Sequence, residues 1–182
     1  ELPDEEAKTS EEAEHKLYDE LMQLNGLRRN FSDVGFWEPK LYTDKEGKAQ
    51  FNVTFPDNIT KWDAVVYAMN RKLNSGTYRQ SIQSYKPLMA ELKTPRFLTV
   101  GDTTNFTGTI RNYTKEEEVK GSTVFCVEAD TLMRQEVRLK GTYSIGLPVQ
   151  VTTSDSMKVS YIFTRDDGYR DGEEHMLSLI HI

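Results

Sequence analysis

The sequence contains little cysteine: Cys126 is the single one in 182 residues. One cysteine excludes an internal disulfide framework and argues against a small disulfide-stapled secreted module. The chain also lacks the run of about 18 apolar residues that a membrane-spanning helix needs, and it lacks the charged and then apolar start of a signal peptide. Because it begins at Glu1 rather than Met, we interpret it as a fragment or a processed product.

Motifs of catalysis and cofactor binding are missing as well. The chain has no Walker loop, no glycine-rich dinucleotide fingerprint, no HExxH and no Gly-x-Ser-x-Gly. We therefore predict no enzymatic activity, no catalytic or cofactor-binding residues and no cofactor. The 23 Lys and Arg residues are outnumbered by 29 Asp and Glu, which gives a net charge of −6. Since the basic residues are also scattered singly, nucleic acid is not an expected partner.

Cys126 is a candidate for chemistry because a cysteine thiolate is a good nucleophile. It lies within residues 124–128, where β-branched and aromatic residues favour a core strand. We predict that its thiol is buried and inert. The alternative, a cysteine hydrolase, requires His15, His175 or His181 close to the thiol.

A cluster of acidic residues near the end of the chain is a candidate calcium site. Its members are Asp166, Asp167, Asp171, Glu173 and Glu174. The spacing from Asp167 partly follows an EF-hand loop, but Tyr169 occupies the second ligand position and Ser178 occupies the twelfth, where a glutamate is needed. We predict a solvated β-turn here and no metal.

The first 30 residues read as an acidic linker followed by an amphipathic helix. Residues 1–12 carry almost no large apolar groups and predict a flexible lead-in. From residue 13 to 27, leucines at 17, 21 and 24 form the stripe of an amphipathic helix, and Gly26 fits its end. Such a stripe is typical of a face that docks on a host domain.

Residues 31–85 change to a period of two, which predicts strands. A hairpin is expected over 41–55, followed by strands at 62–68 and 78–85 that join through a turn at 74–76. These residues are too few to enclose a core, and a single layer of strands cannot enclose the large side chain of Trp62. We therefore predict a partial β domain that strands outside this chain complete.

Residues 86–177 predict a complete Greek-key β-sandwich, because short strands follow one another without intervening helices. The seven strand candidates are 88–93, 104–113, 119–128, 134–139, 144–152, 157–164 and 169–177. Pro95 and Gly101 predict an edge strand and a turn between the first two. Residues 178–182 depart from the expected end of the sandwich and resemble read-through of a sequencing adapter, so we assign His181 no role.

Several motifs, in this order, resemble the alpha-2-macroglobulin family. They are 36–44 (FWEPKLYTD) with Gly47, 55–62 (FPDNITKW), 95–102 (PRFLTVGD), 110–114 (IRNYT) and 168–175 (GYRDGEEH). The resemblance covers about residues 28–177 and rests on the order of the motifs as well as their content. It implies an all-β fold: an immunoglobulin/fibronectin-like macroglobulin-type sandwich, preceded by the partial β domain and the short helix.

The resemblance also implies a function. In that family this region follows the protease-cleaved bait segment and precedes the thioester domain, and the whole protein traps proteases. The implied partners are target proteases, through the parent chain, and the neighbouring macroglobulin-type domains. Cys126 does not match the thioester cysteine, because Ala129 stands where the family has glutamine.

In its scarcity of cysteine the chain resembles bacterial members of the family. This resemblance implies a periplasmic or other cell-envelope location, with secretion as the alternative. The strand pattern alone leaves a different class of function open. A β-sandwich of this size also suits an adhesion or carbohydrate-binding module of a surface protein.

Overall fold

The computed structural model describes residues 26–152 and 156–180, and within them every regular element is a β-strand. The strands are β1 (Gly26–Arg28), β2 (Lys61–Met69), β3 (Ser75–Gln83), β4 (Leu88–Lys93), β5 (Phe97–Thr99), β6 (Thr103–Asn112), β7 (Val119–Val127), β8 (Asp130–Leu139), β9 (Thr142–Gln150), β10 (Ser156–Arg165) and β11 (Arg170–Ile180). The predicted all-β fold class is confirmed. Among these residues there is no helix long and apolar enough to cross a membrane.

The chain divides into two compact units. Residues 26–29 and the described residues from Lys86 onward form the first, which we call the sandwich unit. Asn30–Tyr85 form the second, which we call the inserted unit because it interrupts the sandwich unit in the sequence.

The sandwich unit consists of two packed sheets. In the larger sheet the order is β1-β11-β10-β7-β8, with β5 also pairing with β11, and in the smaller it is β4-β6-β9. Alternating apolar side chains point between the sheets, and the largest buried ones are Tyr161, Phe106, Phe125 and Phe163. Gly108 of β6 makes room for Tyr161 of β10, because a Cβ at Gly108 would lie 2.5 Å from the tyrosine ring.

All seven predicted strands of this unit are present: the bounds of 88–93 match β4, and the other six have shifted ends. The stretch around Pro95 forms the predicted edge strand, because β5 pairs with the edge of β11 in parallel. Gly101 adopts the predicted turn with a φ of 92°. The expected end of the sandwich at residue 177 needs correction, since β11 continues to Ile180 where β5 supplies its pairing partner.

The helix predicted over residues 13–27 can be compared with the structure only at residues 26 and 27. Residues 1–25, and with them the acidic lead-in and nearly all of the predicted helix, lie outside the described residues. Residues 26 and 27, at the end of the predicted helix, are in a strand: Gly26 begins β1 with a φ of 139°, which glycine adopts at little cost, and β1 pairs in parallel with β11 from Asp171 to Glu173.

The inserted unit is built on the β2–β3 hairpin, which pairs over nine residues. Its turn runs from Asn70 to Asn74 rather than over 74–76, because the Asn70 side chain accepts hydrogen bonds from the backbone N–H groups of Lys72 and Asn74. Leu73 takes the positive φ of this turn, 65°.

The hairpin predicted over 41–55 is wrong. The structure assigns no strand to these residues, and of the hairpin it contains only a turn, in which Asp44 N–H donates to Lys48 O. Trp62 is half-buried rather than enclosed, with Phe55 at a ring distance of 5.4 Å and an indole N–H bond to Ser84. Although the sequence alternates along much of the inserted unit, only Lys61–Met69 and Ser75–Gln83 pair as strands there.

Candidate functional site

The acidic residues near the end of the chain separate into two groups in the structure. Asp166 and Asp167 are exposed in the turn before β11, as the sequence predicts. Asp171 and Glu173 are not solvated: they are 0% and 8% exposed, on the inward face of β11. The prediction of a single solvated turn is therefore wrong for these two carboxylates, because the alternation of β11 directs them into the sandwich unit.

Asp171 receives hydrogen bonds from three different parts of the chain. Lys86 Nζ donates to Oδ1 at 2.7 Å, and the backbone N–H of Ala90 donates to Oδ2 at 2.8 Å. Arg28 Nη2 lies 3.3 Å from Oδ2. One buried carboxylate thus joins β1, the start of β4 and β11.

Glu173, two residues further along β11, has a similarly complete set of partners. Arg28 Nη1 donates to Oε1 at 2.7 Å, Leu92 N–H donates to Oε2 at 2.9 Å, and His175 Nε2 lies 3.1 Å from Oε2. Burial acts to raise the pKa of Glu173. The hydrogen bond from His175, the charge of Arg28 and the Leu92 N–H outweigh burial, so that the pKa is lowered.

Arg28 holds the centre of this arrangement, which we call the Asp171 cluster: Arg28, Lys86, Asp171, Glu173 and His175. The arginine is 6% exposed, and its Nη2 also donates to the carbonyl of Ala90 at 2.7 Å. The two acids face two basic side chains, Arg28 and Lys86, so the buried charges are paired. A buried charge is tolerated only when it is paired and hydrogen-bonded, and both conditions are met here.

The contacts of the cluster indicate a structural role, in which the two carboxylates link β1, β4 and β11. Both carboxylates are engaged by cations and backbone donors, which is unlike an open ligand shell or a poised general base. In the part of the chain that the structure describes, no group of three or more His, Cys, Asp or Glu residues is arranged to hold a metal ion.

Cys126 requires a correction. Its side chain is half-buried rather than buried, because the inward residues of β7 include Thr123 and Phe125, and Cys126 follows a register shift after Phe125. Its sulfur lies 3.8 Å from Thr131 Oγ1. His175 belongs to the Asp171 cluster, on the inward face of β11, and β10 lies between that strand and β7. The structure does not bring this pair together, and His15 and His181 lie outside the described residues.

Sequence reasoning missed Arg28 and Lys86. The available signal was their position, since they flank the segment predicted to be an incomplete domain. A second signal was the alternation Asp-Gly-Glu within a predicted strand, which places both acids on one face. Neither signal says which cation meets which acid, because Arg28 and Asp171 are 143 residues apart in the chain.

Comparisons with known proteins agree with this fold. The model of the alpha-2-macroglobulin family matches residues 34–125. An alpha-2-macroglobulin homolog from Nostoc sp. is 29% identical over 105 residues, which is 54% of this chain and 6% of that protein. This chain therefore corresponds to a small part of that relative's length.

Solved structures give the same picture of the fold. Escherichia coli alpha-2-macroglobulin activated by porcine elastase aligns with a TM-score of 0.57 and 14% identity, over 81% of this chain and 15% of that one. The native conformation of the E. coli protein aligns with a TM-score of 0.52 and 15% identity, over 76% of this chain and 9% of that one. Because the family model matches half of the sequence and extends from the inserted unit into the sandwich unit, the chain belongs to the alpha-2-macroglobulin family.

Proposed function

We propose that this chain is a structural part of a protease-trapping inhibitor and that the endopeptidase-inhibiting activity belongs to the longer parent protein. The observation that carries the proposal is the family match over residues 34–125, which extends across the boundary between the two units. The chain itself acts as a scaffold rather than as an enzyme.

The physical demands of a trap support this assignment. A trap encloses its target by moving rigid domains relative to one another, and this requires well-packed units rather than catalytic side chains. The sandwich unit has a continuous apolar core and a fully paired ionic cluster, which suit such a part. In the parent, we place this region after the bait segment and before the thioester domain.

The partners and location follow from the same proposal. Target proteases meet the parent protein, and neighbouring macroglobulin-type domains contact this chain. Strands from outside this chain complete the inserted unit, whose hairpin leaves Val66, Tyr78 and Ile82 between 41% and 61% exposed. The parent acts outside the cytoplasm, in the periplasm or cell envelope.

A substrate-size assay on the parent protein tests the proposal. An endopeptidase incubated with the parent is expected to lose activity on a large protein substrate while retaining activity on a short chromogenic peptide, because enclosure excludes only the large substrate. The 182-residue chain alone is the matched control and is expected to change neither rate.

Two outcomes would contradict the proposal. Loss of both activities would indicate a blocked active site rather than enclosure, and retention of both would indicate no inhibition. Specific glycan binding by the 182-residue chain, together with retention of both activities, would support the adhesion or carbohydrate-binding alternative.

A further inference from the structure

The two connections of the inserted unit are fastened to the same buried carboxylate. The chain leaves the sandwich unit after Arg29 and returns to it at Lys86. Arg28, next to the first connection, and Lys86, at the second, both contact Asp171. Both ends of a 56-residue insertion, Asn30–Tyr85, are thus held at one point of the sandwich unit.

The two connections are not held equally. On the return side, β4 pairs with β6 over six residues, from Leu88 to Lys93, and Leu88, Met89 and Ala90 are buried. On the exit side, β1 pairs with β11 over three residues only. Short ladders at a sheet edge contribute little stability by themselves, so β1 depends on its side chains.

Few side chains of β1 are available for that task. Gly26 has none, and Leu27 is half-buried on the outer face, where it lies over the space left by Gly172. Arg28 is the one buried side chain of the strand, and its guanidinium contacts Asp171, Glu173 and the Ala90 carbonyl. Directly after β1, Arg29 also pairs with Glu174 of β11 at 2.9 Å, but the Arg29 side chain is 62% exposed. Exposed pairs contribute little, so the attachment of β1 depends mainly on Arg28.

When Arg28 leaves, neither carboxylate of the cluster is left without a hydrogen-bond donor. Asp171 would keep Lys86 Nζ and the Ala90 N–H, and Glu173 would keep His175 and the Leu92 N–H. Removing a partner from a buried ion pair is costly when the remaining charge has no other partner, and here each carboxylate retains two. The departure of β1 is thus cheaper than the burial of the cluster suggests.

We propose that β1 is a detachable strap: it can leave the sandwich unit as a piece, with Arg28 setting the strength of its hold, while β4 and Lys86 keep the second connection in place. Such a strap frees the chain on one side of the inserted unit and leaves the other side anchored. The inference concerns this chain alone and does not depend on the proposed protease trap.

Amide hydrogen exchange on the 182-residue chain tests the strap, with Arg28→Met as the main variant. Methionine keeps much of the bulk and removes the guanidinium. Exchange at 27–29 is expected to rise at least about tenfold, while exchange in β7 and β10 stays within about twofold, because local opening does not require global unfolding. Arg28→Lys, which keeps the charge but loses the forked geometry, is expected to give a smaller rise.

Arg111→Met is the matched control. Arg111 pairs with Glu91 at 2.9 Å in the same unit, but it is partly exposed and lies on β6. It is expected to leave exchange at 27–29 within about twofold of the original chain. An equal rise at 27–29 in both variants would contradict a specific role of Arg28.

Two further results would overturn the proposal. Unchanged exchange at 27–29 in Arg28→Met would show that the arginine does not hold the strand. An equal rise in β1, β7 and β10 would show that β1 opens only when the whole sandwich unfolds.

If the variant does not fold, the unaltered chain in low concentrations of urea gives the decision. If β1 is a detachable strap, the free energy of the opening that exposes the amides of 27–29 depends little on urea concentration. The free energy of the opening that exposes the amides of β10 depends on it steeply. A common slope for both would refute the strap.

Discussion

Replacement of Asp171 by Asn tests the structural role of the Asp171 cluster directly. The carboxylate is 0% exposed and lies between two cations, with Lys86 Nζ at 2.7 Å and Arg28 Nη2 at 3.3 Å. Asparagine has nearly the same shape, so the core packing is retained. The change removes one negative charge and turns one acceptor into a donor that faces cations.

The expected loss follows from the partners that remain. Glu173 still balances Arg28, but Lys86 loses the carboxylate nearest to it. Breaking a buried ion pair from one side typically costs about 3 to 5 kcal/mol, and retention of one acceptor for the Ala90 N–H favours the lower end, about 3 kcal/mol. For a unit of this size, that loss lowers the melting temperature by roughly 12 to 24 °C.

Urea unfolding offers a readout that separates the two units. Both tryptophans, Trp37 and Trp62, belong to the inserted unit, so their fluorescence reports on it, while far-UV circular dichroism reports on the strands of both. In Asp171→Asn the circular dichroism midpoint is expected to fall by roughly 1 to 3 M urea. Most of that change belongs to the sandwich unit.

Asp167→Asn is the matched control from the turn before β11. Asp167 forms an ion pair with Arg165 at 2.8 Å, but its side chain is 51% exposed. Exposed pairs contribute little, so a change below about 1 kcal/mol is expected. If the two substitutions lower the free energy of unfolding equally, the structural role assigned to the Asp171 cluster is refuted.

Three further predictions concern the same unit. Because folding lowers the pKa of Glu173 from its ordinary value of 4.5, its stabilisation is complete above that value and is lost as the pH falls through the lower, folded value. Urea unfolding at pH values from about 7 to about 3 should therefore show that the free energy of unfolding of Glu173→Gln falls less steeply with decreasing pH than that of the unaltered chain. Gly108→Ala should cost roughly 1 to 3 kcal/mol by overpacking against Tyr161, whereas Gly146→Ala, which meets nothing within 4 Å, should stay within about 1 kcal/mol; thermal melts of both variants check this. Among the described residues the buried hydroxyl of Tyr161 faces Thr123 without a well-formed hydrogen bond, so Tyr161→Phe should be neutral or stabilising by up to about 1 kcal/mol in urea unfolding, and a loss above about 2 kcal/mol would contradict it.

The strands of the sandwich unit could be predicted because their signal is local. In β10, Met157, Val159, Tyr161 and Phe163 occupy every second position, and all four are buried in the structure, as is Ile162 from the opposite face. Alternation of this kind reflects one buried face of a sheet and needs no knowledge of the partner strand. The family resemblance added the macroglobulin-type domain to a fold class that the pattern already indicated.

The Asp171 cluster could not be predicted, because burial of a charge depends on distant partners. Locally, Asp171 and Glu173 are two acids among polar neighbours, and such a stretch is usually a turn. Their cations come from the far end of the chain and from the residue after the inserted unit. For Cys126 the same limit applies on a smaller scale, since an apolar run does not reveal which of its members faces the core.

The inserted unit shows why a period of two is not sufficient evidence for a strand. Alternation over 49–55 indicates which face would be buried if a second layer were present, but a strand forms only where another strand accepts its hydrogen bonds. Register places Trp62, Val66, Tyr78 and Ile82 on one face of the β2–β3 hairpin. A two-stranded hairpin is marginal alone, and this face is only partly covered. The proposal that strands outside this chain complete the unit would account for both the absent strands and the half-buried Trp62.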